Sequence, residues 1–287
     1  MNSKLRVILD DIKIQHTLFS LPFAVLSAFL AAEGIPDPLC FFWIIVALTG
    51  ARSAAMVFNR MVDKEYDREN PRTTGRGLPS GGAGLKEYGL FLLGSVALFE
   101  FSCYMLNPLA FWLSPFCLFI LFFYSFTKRF TVYSHFALGL ALGIAPVGAW
   151  VAVKEEISVI SIILMLAVVF WLAGLDIIYS CQDEKFDRGA GLYSIPARFG
   201  LKQALLISSR LHIVMIGFMI LLFFLTPLGE IYLLGLLLAT LMLLYEHSLV
   251  HPDDITRVNV AFFNVNGLIS VELAGFTIWD LLSTRGC

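Results

Sequence analysis

Nine stretches of this chain are apolar for about as long as a helix needs to cross a bilayer. A hydrocarbon core of roughly 30 Å takes about 20 residues at the helical rise. Runs of that order fall at 14–32, 39–58, 87–106, 108–127, 134–153, 157–178, 203–225, 229–249 and 260–282. Short Pro-, Gly- and charge-bearing breaks such as Gly34-Ile35-Pro36-Asp37-Pro38, Asn107-Pro108, Lys154-Glu155-Glu156 and Thr226-Pro227-Leu228-Gly229 separate many of them. Within lipid, backbone polar groups must be satisfied by a helix or a closed barrel. The ten-residue alternation of a barrel strand is not seen, so the expected fold is an all-α membrane protein with nine transmembrane helices. Composition agrees: 58% of the 287 residues are hydrophobic and 15% charged, against roughly 25% charged in a soluble domain. An ordinary soluble enzyme is excluded, and a net charge of −2 leaves no basic field for nucleic acid. The alternative for the first stretch is a cleaved signal peptide. The spans that follow it and the acidic Asp10-Asp11 before it argue against cleavage. The five cysteines form no C-x-x-C pair and read as small hydrophobes.

Most of the 20 Lys and Arg residues fall on one side of these spans. They sit at the N-terminus (Lys4, Arg6, Lys13), in the connection 59–86, at Lys128-Arg129, in the connection 179–202, and at Arg257. By the positive-inside rule the N-terminus is cytoplasmic and the C-terminus outside. Both long connections then face the cytoplasm. No separate soluble segment interrupts the pattern, so a single domain over 1–287 is expected.

Each long connection opens on a cluster of acids. In the first, Asn59, Asp63 and Asp67 are spaced i, i+4, i+8, which on one helix is a single face. In the second, Asp183 and Asp187 repeat the spacing, with Tyr179 four residues earlier and Asp176 seven earlier. Carboxylates at i, i+4 repel, and each costs roughly 2.5–3.5 kcal/mol at mid-span on insertion scales. A divalent cation removes both penalties, and oxygen-only ligands suit Mg²⁺, which leaves positions for water and phosphate. Basic residues follow: Lys64, Arg68, Arg72 and Arg76 after the first cluster, Arg188 and Arg198 after the second, with Lys128 and Arg129 on a third cytoplasmic loop. Cations beside a metal–carboxylate site fit an anionic ligand such as diphosphate. The plainer reading of such charges is solvated helix caps and topology anchors. For Asp176 and Arg52 it is a mutual structural ion pair. His16, His135 and His212 lack metal-ligand spacing and read as packing or hydrogen-bonding residues. An ion-coupled transporter is the non-enzymatic alternative; it predicts acids and broken helices at mid-bilayer, whereas these clusters lie at span ends.

The two clusters resemble the N-x-x-x-D-x-x-x-D and Y-x-x-x-D-x-x-x-D motifs of the UbiA family of intramembrane prenyltransferases. Further matches are Arg72-Thr73 with Leu78-Pro79-Ser80-Gly81, Tyr124-Ser-Phe-Thr-Lys128-Arg129, and Ser194 through Arg198-Phe199-Gly200. His16-Thr-Leu-Phe-Ser-Leu-Pro22-Phe is similar to the 4-hydroxybenzoate polyprenyltransferase branch, some bacterial members of which accompany the futalosine route to menaquinone. Tyr193 stands where many members carry a basic residue. The resemblance implies a nine-helix bundle around a central cavity, with the acidic motifs opposed at its cytoplasmic mouth and a lateral opening to lipid. It implies Mg²⁺ held by Asn59, Asp63, Asp67, Asp183 and Asp187, and a polyprenyl diphosphate donor. The acceptor would be an aromatic acid, 4-hydroxybenzoate or a dihydroxynaphthoate. Asn59, Arg72, Arg76, Lys128, Arg129 and Arg198 become candidates for gripping the substrates. Asp176 and Tyr179 join the acids as catalytic candidates that position the acceptor or steady a carbocation. The implied location is the bacterial inner membrane. A relative that attaches a haem or chlorophyll tail is the enzymatic alternative.

Overall fold

A computed structural model of the chain describes residues 3–12 and 20–284. Among them the secondary structure is helical: α1 (Ser3–Asp11), α2 (Leu21–Ala32), α3 (Pro38–Val62), α4 (Lys64–Glu69), α5 (Leu85–Leu106), α6 (Pro108–Thr127), α7 (Ser134–Lys154), α8 (Val159–Ser180), α9 (Glu184–Gly189), α10 (Ile195–Leu225), α11 (Glu230–Ser248) and α12 (Asn266–Ser283). A 3₁₀ turn, Cys181–Asp183, joins α8 to α9, and a π-helical turn, Val260–Val265, leads into α12. Eight helices among the described residues are long and apolar enough to cross a membrane. The expected span 14–32 is represented by the shorter apolar α2; its first part, with His16, lies outside the described residues, as do Lys13, Arg285 and Cys287.

Local chemistry accounts for the helix ends. Asp37 accepts hydrogen bonds from the amides of Leu39 and Cys40 (3.0 and 2.9 Å) ahead of Pro38, so α3 starts with a cap and a proline in its first turn. Asn107 ends α5 and caps α6 through the Ala110 amide (2.8 Å). Its Nδ2 donates to the carbonyls of Val151 and Ala152 near the end of α7. Asp280 on α12 accepts from the amides of Gly229 and Tyr232 (2.7 and 2.8 Å), so the start of α11 is capped by its neighbour. The span expected from 203 begins instead at Ile195. Ser194 caps that start by accepting from the Ala197 amide, and Pro196 occupies the first turn. The chain then kinks at Gly200, whose φ of 79° favours glycine.

Among the long apolar helices, α8 belongs to the most enclosed span. Leu164, Trp171, Leu175 and Ile178 are buried in the largest apolar cluster together with Met215 and Met219 of α10. On the α7 side, Gly139 lies so close to α8 that a Cβ there would sit 2.5 Å from the Val169 carbonyl oxygen. Small residues allow this approach where packing, not water, drives helix association. Large apolar side chains such as Trp112, Phe116, Phe119, Ile213, Phe224 and Leu244 point outward, as a lipid-facing surface requires.

Gly139→Val is expected to force α7 off α8 and to cost about 1–3 kcal/mol, the usual range for overpacking. Gly148→Ala on the same helix, where a Cβ meets nothing within 4 Å, is expected to cost no stability, since alanine is the better helix former. Thermal unfolding of the two variants in detergent checks both outcomes.

Candidate active site

The two acidic motifs share one local geometry. α3 stops at Val62 and the six-residue α4 starts at Lys64, with Asp63 between them at φ −91°, ψ 8°. α8 gives way to the 3₁₀ turn and then to the six-residue α9, with Asp183 at the junction at φ −100°, ψ 4°. Both aspartates occupy the sparsely allowed bridge region. The unbroken helical face expected for Asn59, Asp63 and Asp67 is thus corrected: the helix breaks at the middle aspartate. The break is cheap in hydrogen bonds, because the Asp63 amide still donates to the Asn59 carbonyl (2.9 Å) and the Asp67 amide to the Asp63 carbonyl (2.8 Å).

Each motif carboxylate is matched with a cation. Arg129 lies 3.2 Å from Asp63 Oδ1, and Arg76 lies 2.6 Å from Asp67 Oδ1. Arg72 grips Asp183 with two prongs, Nε to Oδ1 at 2.9 Å and Nη2 to Oδ2 at 2.6 Å. Lys128 lies 2.8 Å from Asp187 Oδ1. These pairs tie the motifs together. Neighbouring Lys128 and Arg129, on the α6–α7 loop, reach one motif each. Arg72 and Asn70, from the loop after the first motif, both hydrogen-bond Asp183 of the second. Further bonds fix the acids: Ser194 donates to Asp187 Oδ2 (2.8 Å), and Asn59 Nδ2 donates to Asp63 Oδ2 (2.8 Å). Buried Arg60 donates to Asn59 Oδ1 (3.1 Å). Burial pushes the Asp63 carboxyl above the usual carboxylate range, against the opposing pull of Arg129.

A cavity of about 220 Å³ lies beside these groups, lined by Asn59, Arg76, Asp176, Tyr179 and Phe262 among others. Arg72 donates to the Tyr179 hydroxyl (2.9 Å), and its guanidinium carbon lies 5.0 Å from that ring's centroid. The Tyr179 ring also packs on Phe262 of the π-helical turn, centroids 4.2 Å apart. A second cavity of about 340 Å³ runs between α3, α5, α6 and α7, with an almost wholly apolar lining that includes Ala47, Phe99, Leu113 and Ile144. Arg52, Leu121, Ala141 and Leu142 line both cavities, so the two adjoin.

Residues 20–268 match the model of the UbiA prenyltransferase family. The chain belongs to that family. The UbiA homolog of Aeropyrum pernix K1, solved in its apo state, superimposes with a TM-score of 0.85 at 32% identity, covering 94% of this chain and 99% of that one. A UbiA homolog from Archaeoglobus fulgidus bound to GPP and Mg²⁺ shares the fold at 19% identity, with a TM-score of 0.78 over 96% of this chain and 99% of that one. The 4-hydroxybenzoate octaprenyltransferase of Providencia stuartii is 30% identical over 249 residues, 85% of each chain.

In this UbiA prenyltransferase the donor set around the mouth is all oxygen, as a hard divalent cation requires. Asp67 Oδ2 is buried with no hydrogen-bond partner, an open ligand position. Among the described residues no group of three His, Cys, Asp or Glu side chains is arranged to hold a metal by itself. That is consistent with Mg²⁺, which commonly takes one or two carboxylates and completes its shell with water and substrate phosphate. Of the sequence candidates, Asn59, Asp63, Asp67, Arg72, Arg76, Lys128, Arg129, Tyr179, Asp183 and Asp187 come together here. Arg198 stands exposed on the first turn of α10, and none of the carboxylate pairs uses it. Tyr193 is half-exposed, and its backbone is tied to Lys128 and Ser134.

The plainer reading of Asp176, an ion pair with Arg52, gives way to another partner. Asp176 Oδ2 lies 2.6 Å from His135 Nδ1, a partner 41 residues away. His135, Asn70, Arg60 and Phe262 are site residues that the sequence did not single out. Only Asn70 carried a usable signal, a polar amide three residues past Asp67 and two before Arg72.

Arg72→Lys keeps the charge but not the planar fork. It is expected to lower kcat/KM for prenyl diphosphate by about tenfold or more, the equivalent of losing one charge-assisted hydrogen bond. Steady-state kinetics on the purified variant reads this directly.

Proposed function

We propose that this membrane prenyltransferase moves a polyprenyl group from polyprenyl diphosphate to a ring carbon of an aromatic acid, 4-hydroxybenzoate or a dihydroxynaphthoate, in quinone biosynthesis. The observation that carries the reading is the pairing of two cross-tied carboxylate motifs with an apolar cavity. The polar mouth suits a diphosphate, and the adjoining cavity suits an isoprenoid tail. The Providencia stuartii relative, named for 4-hydroxybenzoate and an octaprenyl group, supports the substrate pair. The Archaeoglobus fulgidus homolog, bound to GPP and Mg²⁺, supports the donor class and the metal.

Asn59, Asp63, Asp67, Asp183 and Asp187 would hold Mg²⁺ at the mouth. Bound there, the metal supplies Lewis-acid neutralisation of the charge that builds on the leaving diphosphate. Arg72, Arg76, Lys128 and Arg129 supply the fixed positive charge around the same oxygens, each already aimed at the site by a carboxylate. Tyr179, backed by Phe262, offers a π-face to the allylic cation once the C–O bond has broken. The apolar cavity keeps water from that cation. The acceptor's electron-rich ring carbon then forms the C–C bond, and loss of the ring proton restores aromaticity. The Lys and Arg distribution supports a site facing the cytoplasm of a bacterial inner membrane.

The test uses purified, folded protein with labelled prenyl diphosphate and a panel of the two acceptor classes. Asp63→Asn and Asp183→Asn are each expected to lower turnover by about a hundredfold or more, and removing Mg²⁺ with a chelator to abolish product, as loss of charge stabilisation at a leaving group does. Near-normal prenyl transfer in either variant defeats the metal assignment. Product on neither acceptor class defeats the substrate assignment.

A further inference from the structure

We infer that Asp176 is the group that takes the ring proton after prenyl transfer, and that His135 is the positioning residue that holds it in the state to do so. The inference rests on the substrate reading above and adds the fate of the proton.

The geometry defines which way His135 works. The Ile195 backbone N–H donates to His135 Nε2 at 3.2 Å. An amide N–H only donates, so Nε2 accepts, the ring is neutral, and its one N–H sits on Nδ1. That N–H points at Asp176 Oδ2, 2.6 Å away. Ile195 is the first residue of α10, and its amide is one of the donors a helix start leaves unsatisfied. The imidazole is therefore pinned from both sides, and it is buried, with 1% of its surface exposed. His135 cannot turn away without stranding a backbone donor.

The same geometry separates Asp176 from the other acids. The four motif carboxylates each meet Arg or Lys within 3.2 Å, so those oxygens are already committed to cations. Asp176 meets a neutral donor instead. It also lines the 220 Å³ cavity with Tyr179 and Phe262, where the acceptor ring must lie to meet the cation, and a quarter of its side chain is open. Oδ2 is occupied by His135, so Oδ1 is the oxygen left to meet a substrate. The step balances. The donor's C–O bond breaks with its electron pair leaving on diphosphate. The ring carbon beside the hydroxyl provides the pair for the new C–C bond. The C–H bond at that carbon then breaks, its electrons return to the ring, and the proton passes to the Asp176 carboxylate and later to water.

The experiment compares wild type, His135→Leu, His135→Gln and Asp176→Asn in the membrane-extracted, purified protein. The substrates are prenyl diphosphate and 4-hydroxybenzoate, the latter with hydrogen or deuterium at the ring positions beside the hydroxyl. Asp176→Asn is expected to lose about a hundredfold or more in kcat, the range for a general base. His135→Leu is expected to lose about tenfold in kcat with the donor KM unchanged, and to show a deuterium effect larger than that of wild type, because proton removal has become slow. His135→Gln is expected to recover most of the rate, since an amide side chain both donates to a carboxylate and accepts from a backbone N–H. A merely structural role moves stability without moving the isotope effect. The inference is overturned if His135→Leu keeps its kcat, if its loss comes without a larger isotope effect, or if His135→Gln is no better than His135→Leu. Turnover of 4-hydroxybenzoate by wild type is the control: its absence overturns the substrate reading, whereas its presence beside an indifferent His135→Leu overturns only the inference drawn here.

Discussion

Four carboxylates stand where two apolar helices run out, and a charge buried there without a partner costs several kcal/mol. The structure answers each with a cation at 2.6–3.2 Å. The loops at the protein's mouth are arranged to make those contacts. The α6–α7 loop is placed so that Lys128 faces one motif and Arg129 the other. The loop after α4 folds back so that Arg76 meets Asp67 of its own motif while Asn70 and Arg72 cross to Asp183. Two long connections that would otherwise be mobile loops are thereby stitched to each other and to the helix ends. Arg129 also donates to the Val62 carbonyl, so the same side chain closes the end of α3.

This pairing reconciles two demands on the site. On the proposed function, acids that would hold a metal must not repel themselves apart without one, and cations that would meet diphosphate must not be held so deeply that they cannot reach it. Pairing each acid with a cation meets the first demand. The partly exposed positions of Arg72, Lys128 and Arg129 meet the second, with about a third of each side chain open.

How much of this was legible in the residues follows from which interactions are local. Eight of the nine expected spans were, because bilayer crossing is a matter of length and hydropathy within one segment. The i, i+4 spacing put Asn59, Asp63 and Asp67 in one cluster and Asp183 and Asp187 in another, and the basic residues that meet them lie in the loops where charge was already conspicuous. The break at each middle aspartate was not legible, since the spacing of side chains does not record a change of ψ at one residue. The start of α10 was missed because Arg198 and Lys202 interrupt its apolar run, whereas its true signals are Ser194 and Pro196 just upstream. His135 was read as a packing or hydrogen-bonding residue, and its partner was missed for a different reason. Its partner lies 41 residues away on another helix, and nothing in the spacing of one segment reports a contact with the next.

The π-helical turn at Val260–Val265 places Phe262 against Tyr179 and then hands the chain to α12. Such a turn is in effect one residue inserted into an α-helix. Deleting a single residue there would rotate all of α12 by about 100°, the angular step of one helical residue. Asp280 would swing off the amides of Gly229 and Tyr232, and the far end of the bundle would lose the cap on α11. The length of this stretch is therefore under a constraint of its own: a one-residue change in count is felt a whole helix away.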